Sequence, residues 1–177
     1  MEGITTDRMA PVAHYNMAEN KKKTEHYVAT LISAIHAVFF PEPTILLSTE
    51  KSPSDNPKHR RLKVDSITQH LIDGTCDLRT GAVWEYKKPD AAPAEIETCE
   101  AQTNENVEMY LKNESGICFG FSVIGSLWRV FTYKQPGAKF TCITGDGDAN
   151  RNHYDITSLA EGLVIDSFLR DLPELMG

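Results

Sequence analysis

The run Gly81-Ala82-Val83-Trp84-Glu85-Tyr86-Lys87-Lys88-Pro89 constrains this chain more than any other stretch. Its apolar, aromatic character suits a strand, and Pro89 ends it. Strand side chains alternate with period two, so Glu85 and Lys87 share one face and Trp84 and Tyr86 the other. A carboxylate beside an ammonium group is an unusual pairing for a core. Two readings fit it. One is a solvated ion pair on an exposed face. The other is a metal-dependent hydrolytic site, with Glu85 ligating a hard divalent cation and Lys87 orienting water or stabilising phosphate charge. The surroundings decide between them.

Residues 1–20 show no period and read as a flexible arm, followed by a single domain over 21–177. Thr24 is placed to cap a helix running to residue 40. Val28, Leu31, Ile32, Ile35, Val38 and Phe39 recur there at helical spacing, and Pro41-Glu42-Pro43 stops it. Glu25 lies on the same apolar stripe, where it either favours the helix dipole or meets a metal or other partner. A short strand is expected over 45–48, then a loop over 51–61 that holds Lys51, Lys58, Arg60 and Arg61, the most basic stretch of the chain. It reads as a solvated loop or as an edge that contacts phosphates.

A strand over 62–72 follows. The turn after it belongs at Asp73-Gly74, with a second candidate at Thr80-Gly81 before the strand 82–87. Pro93 fits the first turn of a second helix, striped by Ile96, Cys99, Thr103, Val107, Tyr110 and Leu111, with Gln102 at the stripe's edge. Strands over 117–124 and 127–133 flank a Gly125-Ser126 turn, and another runs over 139–143. Ser158-Leu159-Ala160-Glu161 has the form of a capping box, opening a last helix with Leu159, Leu163, Phe168 and Leu169 on its apolar side. The chain is therefore expected to be α/β, a mixed sheet flanked by helices.

The 177 residues carry a net charge of −7, which argues against a general high-affinity nucleic-acid binder but leaves room for a small basic groove. Cys76, Cys99, Cys118 and Cys142 lack metal-ligand spacing and read as free thiols. With no signal peptide evident and no apolar stretch of membrane-spanning length, an intracellular protein of the cytoplasm or nucleus is expected. The stretch 146–152 has the start of a calcium loop but lacks its glycine and its bidentate glutamate, so it reads as a polar turn. His36, Trp84 and Trp128 read as packing residues.

The order of parts is a helix with Glu25, a strand with Asp65, a strand ending in Glu85-x-Lys87, a helix with Gln102, then two more strands. It resembles the PD-(D/E)XK nuclease superfamily, with its restriction-endonuclease-like fold. The chain is especially similar to compact versions from filamentous fungi, through the pair Gly120-Phe121 … Gly125 … Trp128-Arg129. The resemblance covers residues 24–133. It implies Asp65 and Glu85 as metal ligands, Lys87 as the catalytic lysine, Glu25 as a further carboxylate at the metal, and Gln102 as a residue that places substrate or water. It also implies Mg2+ or Mn2+ and cleavage of DNA or RNA phosphodiesters. No proline precedes the aspartate here, which sits in Val64-Asp65. The turn position leaves the partner of Glu85 open: a turn at Asp73-Gly74 brings Asp65 given a bulge or a longer loop, and a turn at Thr80-Gly81 brings Asp77. A protein partner or homodimer is compatible with either reading. The alternative function is a noncatalytic interaction or effector module that keeps the nuclease fold.

Overall fold

Alternation and helical periodicity sort this chain into a three-layer arrangement, with a mixed seven-stranded sheet between helices. The computed structural model describes residues 25–41, 44–51, 64–72, 75, 77–111, 116–135, 139–144 and 153–176. The arm 1–20, Thr24, the basic residues Lys58, Arg60 and Arg61, and the polar stretch 146–152 lie outside them. The elements are helix α1 (Glu25–Phe39), strands β1 (Ile45–Lys51), β2 (Val64–Leu71) and β3 (Leu78–Lys87), helix α2 (Pro93–Leu111), strands β4 (Gly116–Ile124), β5 (Leu127–Gln135), β6 (Lys139–Cys142) and β7 (Tyr154–Asp155), and helix α3 (Leu159–Met176). Among the described residues no helix is long and apolar enough to cross a membrane.

The sheet runs β1-β2-β3-β4-β5-β6, with β7 also paired to β5. Neighbours are antiparallel except β3 and β4, which are parallel. Parallel strands need a long crossover, and α2 supplies it. Ala92 opens α2, and its N–H donates to Glu95 Oε2 at 2.7 Å, while Pro93 takes a position where an N–H has no partner to find.

The two sheet faces bury separate clusters. Trp84, Phe121, Val123, Trp128 and Val130 pack with Val28, Leu31, Ile32 and Ile35 of α1 and with Ile165, Leu169 and Leu172 of α3. On the opposite face Val83, Cys118 and Tyr133 pack against Val107 and Leu111 of α2. His36 is buried beside Phe40, with ring centroids 4.9 Å apart, as a packing residue.

Several expectations are corrected. Gly81 lies inside β3, so no turn forms at Thr80-Gly81. Its place is a bulge: Thr68 pairs with Ala82 and Gln69 with Thr80, which leaves Gly81 as the extra residue. In α3 the buried stripe is Gly162, Ile165, Leu169, Leu172 and Met176, whereas Leu159 and Leu163 are exposed. Both sets fit helical spacing, and only docking onto the sheet selects one. Glu161 does not close a box on Ser158; its Oε2 accepts the N–H of Asp155 at 2.7 Å and so ties β7, a strand too short to show in the sequence, to α3.

The glycine–aromatic pair of β4 and β5 has a packing rationale at each position. Phe121 stacks on Trp84 at 3.8 Å, and Trp128 meets both rings edge-on. Gly125 takes φ 58° in the hairpin turn. Arg129 Nη1 donates to both Glu100 oxygens, at 3.0 and 3.1 Å, tying β5 to α2. Gly120 lets α2 approach: a Cβ there would stand 2.6 Å from Thr103 Cγ2. Gly120→Val is therefore expected to destabilise the fold by about 1–3 kcal/mol through overpacking. Urea denaturation checks this, and an unshifted midpoint would refute the close approach.

Candidate metal centre

The bulge at Gly81 decides the chemistry of the sheet, because it resets the register of β2 against β3. Ser66 pairs with Trp84, which brings Asp65 level with Glu85 at the strand ends. Asp65 Oδ2 accepts the Tyr86 N–H at 2.9 Å, which holds the aspartate across the strand from its target. The two carboxyl groups share a hydrogen bond. Lys87 follows on the same face by alternation and acts electrostatically on Glu85. Asp65, Glu85 and Lys87 are thus assembled on the α2 side of the sheet.

Asp77 is not part of this group. It directly precedes β3, is exposed, and its carbonyl accepts the Ile72 N–H at 3.0 Å in the hairpin connection. Eight residues of extended chain separate it from Glu85, roughly 26 Å. The open choice between the two aspartates resolves to Asp65, by way of the bulge that this pairing requires. Glu25 begins α1, and its side chain lies outside the described residues. Gln102 sits half-buried on α2, one turn before Asn106.

Asn106 is the residue that sequence reasoning missed. It is 1% exposed, and its Nδ2 donates to Glu85 Oε1 at 2.7 Å. The signal was present, since Asn106 lies three residues after Thr103 and one before Val107, on the buried stripe. A polar side chain there needs a partner, by the same rule that singled out Glu25. Cys99, on the same helix face, accepts the Ser122 hydroxyl at 3.4 Å. Burial pushes its thiol up to about 12, so Cys99 stays neutral and is no nucleophile.

Glu85 is 1% exposed, and burial, followed by the charge of Asp65, pushes its pKa up to about 8 against the pull of Lys87. Two carboxyls in contact under a helix hold a proton between them at neutral pH. A divalent cation relieves the same repulsion, and all-oxygen donors of this kind suit Mg2+ or Mn2+. Among the described residues no group of three or more His, Cys, Asp or Glu is placed to hold a metal. The pair Asp65 and Glu85 fits such an ion as two of its ligands.

These shifts set a pH profile for the cation-free protein. The raised pKa of Glu85 contributes stability that is full below about 4.5 and lost as pH rises through about 8. Burial lowers His36 to about 4, and burial with the nearby Arg129 guanidinium lowers His153 to about 4. Their contributions are full above 6.5 and lost as pH falls toward 4. Each group changes stability by at most about 1.4 kcal/mol per pH unit. Below pH 6.5 the two histidines oppose Glu85 and Glu100, which burial also raises. Above pH 6.5 the histidines no longer change, and the raised acidic groups lower stability, with Glu85 acting up to about pH 8. Thermal unfolding in EDTA should therefore peak between about pH 6 and 7. Glu85→Gln should flatten the alkaline limb, and Mn2+ should reverse it; a limb unchanged in Glu85→Gln would refute the assignment.

Comparison with known proteins returns no matching protein-family model, no matching characterised protein and no matching solved structure.

Proposed function

We propose that this chain is a divalent-cation-dependent nuclease of the PD-(D/E)XK type, hydrolysing phosphodiester bonds of DNA or RNA. The observation that carries this reading is the meeting of Asp65 and Glu85 beside Lys87, with Glu85 buried and its pKa raised. The helix, the β1–β3 meander, the α2 crossover and the parallel β4 support the same reading, in the order expected of a restriction-endonuclease-like domain.

Asp65 and Glu85 would hold Mg2+ or Mn2+; the helix that Glu25 begins packs on the opposite face of the sheet, against Trp84 and Phe121. When bound, the cation neutralises charge on the nonbridging and leaving oxygens of the phosphodiester. Lys87 stands beside the scissile phosphate, donates to its oxygens and orients the attacking water. Asp65 is kept in place by the Tyr86 N–H, and Glu85 by Asn106. Lys51, Lys58, Arg60 and Arg61 supply phosphate contacts that offset the acidic body.

Calorimetric titration with Mn2+ tests the centre directly. The wild type should bind, and Glu85→Ala should lose that binding. Equal binding by both proteins would place the cation elsewhere and remove the basis of the proposal. No binding by a wild type offered substrate phosphodiester as well would favour the noncatalytic interaction module.

A further inference from the structure

Glu85 shares a hydrogen bond with Asp65 across the strands and meets a second partner on α2. Asn106 Nδ2 donates to Oε1 at 2.7 Å, and both residues are 1% exposed. Among the described residues Asn106 Oδ1 is buried and has no hydrogen-bond partner, so the donated bond to Glu85 is what orients this amide. Thr103 and Val107 on either side of it pack against the sheet, where Thr103 Oγ1 also donates to the Cys99 carbonyl at 2.8 Å. The helix therefore holds the amide rigidly over one carboxylate oxygen.

We infer that Asn106 is a positioning residue that makes Glu85 a one-oxygen ligand and so selects small six-coordinate cations over Ca2+. The inference rests on the metal-centre reading above and concerns how that centre discriminates. A bidentate carboxylate needs both oxygens turned to the ion, with charge available on each. An amide N–H at 2.7 Å draws charge from Oε1 and fixes the carboxylate plane, leaving the other oxygen for the ion. Mg2+ demands near-ideal octahedral geometry and takes few carboxylate oxygens. Ca2+ takes six to eight oxygens at longer distances and readily chelates a carboxylate through both. A clamp on one oxygen therefore handicaps Ca2+ more than Mg2+ or Mn2+. Neighbours of a metal ligand tune affinity through hydrogen bonds of this kind.

The test is calorimetric titration of the full chain with MgCl2, MnCl2 and CaCl2, for the wild type, Asn106→Leu, Asn106→Ser and Glu85→Ala. Asn106→Leu keeps the heavy-atom count and branching of the side chain without the donor. Asn106→Ser is one bond too short to reach Oε1 and, being small, still folds if the leucine variant does not; thermal unfolding identifies the folded variants. The expected result is a shift of about tenfold in the ratio of Ca2+ to Mg2+ affinity, in favour of Ca2+, in each folded Asn106 variant. An unchanged ratio, with both affinities equal to wild type or lowered in parallel, would overturn the role of Asn106 and leave the metal centre standing. A wild type that binds none of the three ions, or binds them equally after Glu85→Ala, would overturn the metal centre itself.

Discussion

Lys87→Met should lower the proposed metal-dependent phosphodiester cleavage by about 10^2- to 10^3-fold, the loss seen when one preorganised donor to a charged transition state is removed. The side chain is one atom shorter and keeps an unbranched apolar stem, so the strand and the packing around Trp84 on its other face are undisturbed. Lys87 draws the pKa of Glu85 down, which shows that its charge is felt at the carboxylate pair. The same charge repels a cation placed there. Removing it should leave Mn2+ binding intact or tighter while activity is lost. That opposition separates a chemical role from general damage, which would weaken both. The assay is cleavage of supercoiled plasmid and of single-stranded RNA in Mg2+ and in Mn2+, run beside calorimetry on the same preparations. Wild-type cleavage rates in Lys87→Met would refute its assignment as the catalytic lysine. Loss of Mn2+ binding in that variant would instead make Lys87 a structural support for the carboxylates.

The second large effect lies on the opposite face of the same strand. Trp84→Ala should destabilise the fold by about 3–5 kcal/mol. The indole is buried, stacks on Phe121 at 3.8 Å, meets Trp128 edge-on at 6.0 Å, and donates its N–H to Thr68 Oγ1 at 2.9 Å. Truncation removes both ring contacts and strips the buried Thr68 hydroxyl of its donor. Against a total stability of about 5–15 kcal/mol, the variant sits near the unfolding threshold. The site feels this as well, because Trp84 and Glu85 are adjacent on β3 and the pairing of Ser66 with Trp84 sets the position of Asp65. Urea denaturation measures the loss, and a change under 1 kcal/mol would contradict the packing. Trp84→Phe keeps a ring but not the N–H donor and should fall between the two.

Much of this molecule was legible in the order of its residues. The stripe of Val28, Leu31, Ile32 and Ile35 marked the buried face of α1, because burial follows a local period wherever an element has one apolar side, whereas β3 and β4 are buried on both faces. The Glu85-x-Lys87 spacing placed both groups on one face by strand geometry alone. The α3 stripe was ambiguous for the opposite reason. Leu159 and Leu163 satisfy the helical period as well as Ile165 and Leu169 do, and the choice between them depends on where the helix meets the sheet.

The partner of Glu85 was undetermined for a related reason. A strand pattern gives the face of each residue but not its register against a neighbour. The extra residue at Gly81 shifts that register and brings Asp65, rather than Asp77, to Glu85. Asn106 shows the same limit: its helical phase was readable, but its contact with a carboxylate 21 positions earlier arises only when α2 crosses over to lay β4 beside β3. Local chemistry and periodicity are properties of neighbouring residues, so the chain carries them in its order. Register, docking and the raised pKa of Glu85 come from groups distant in sequence that share one dry space, and only the packed structure brings those together.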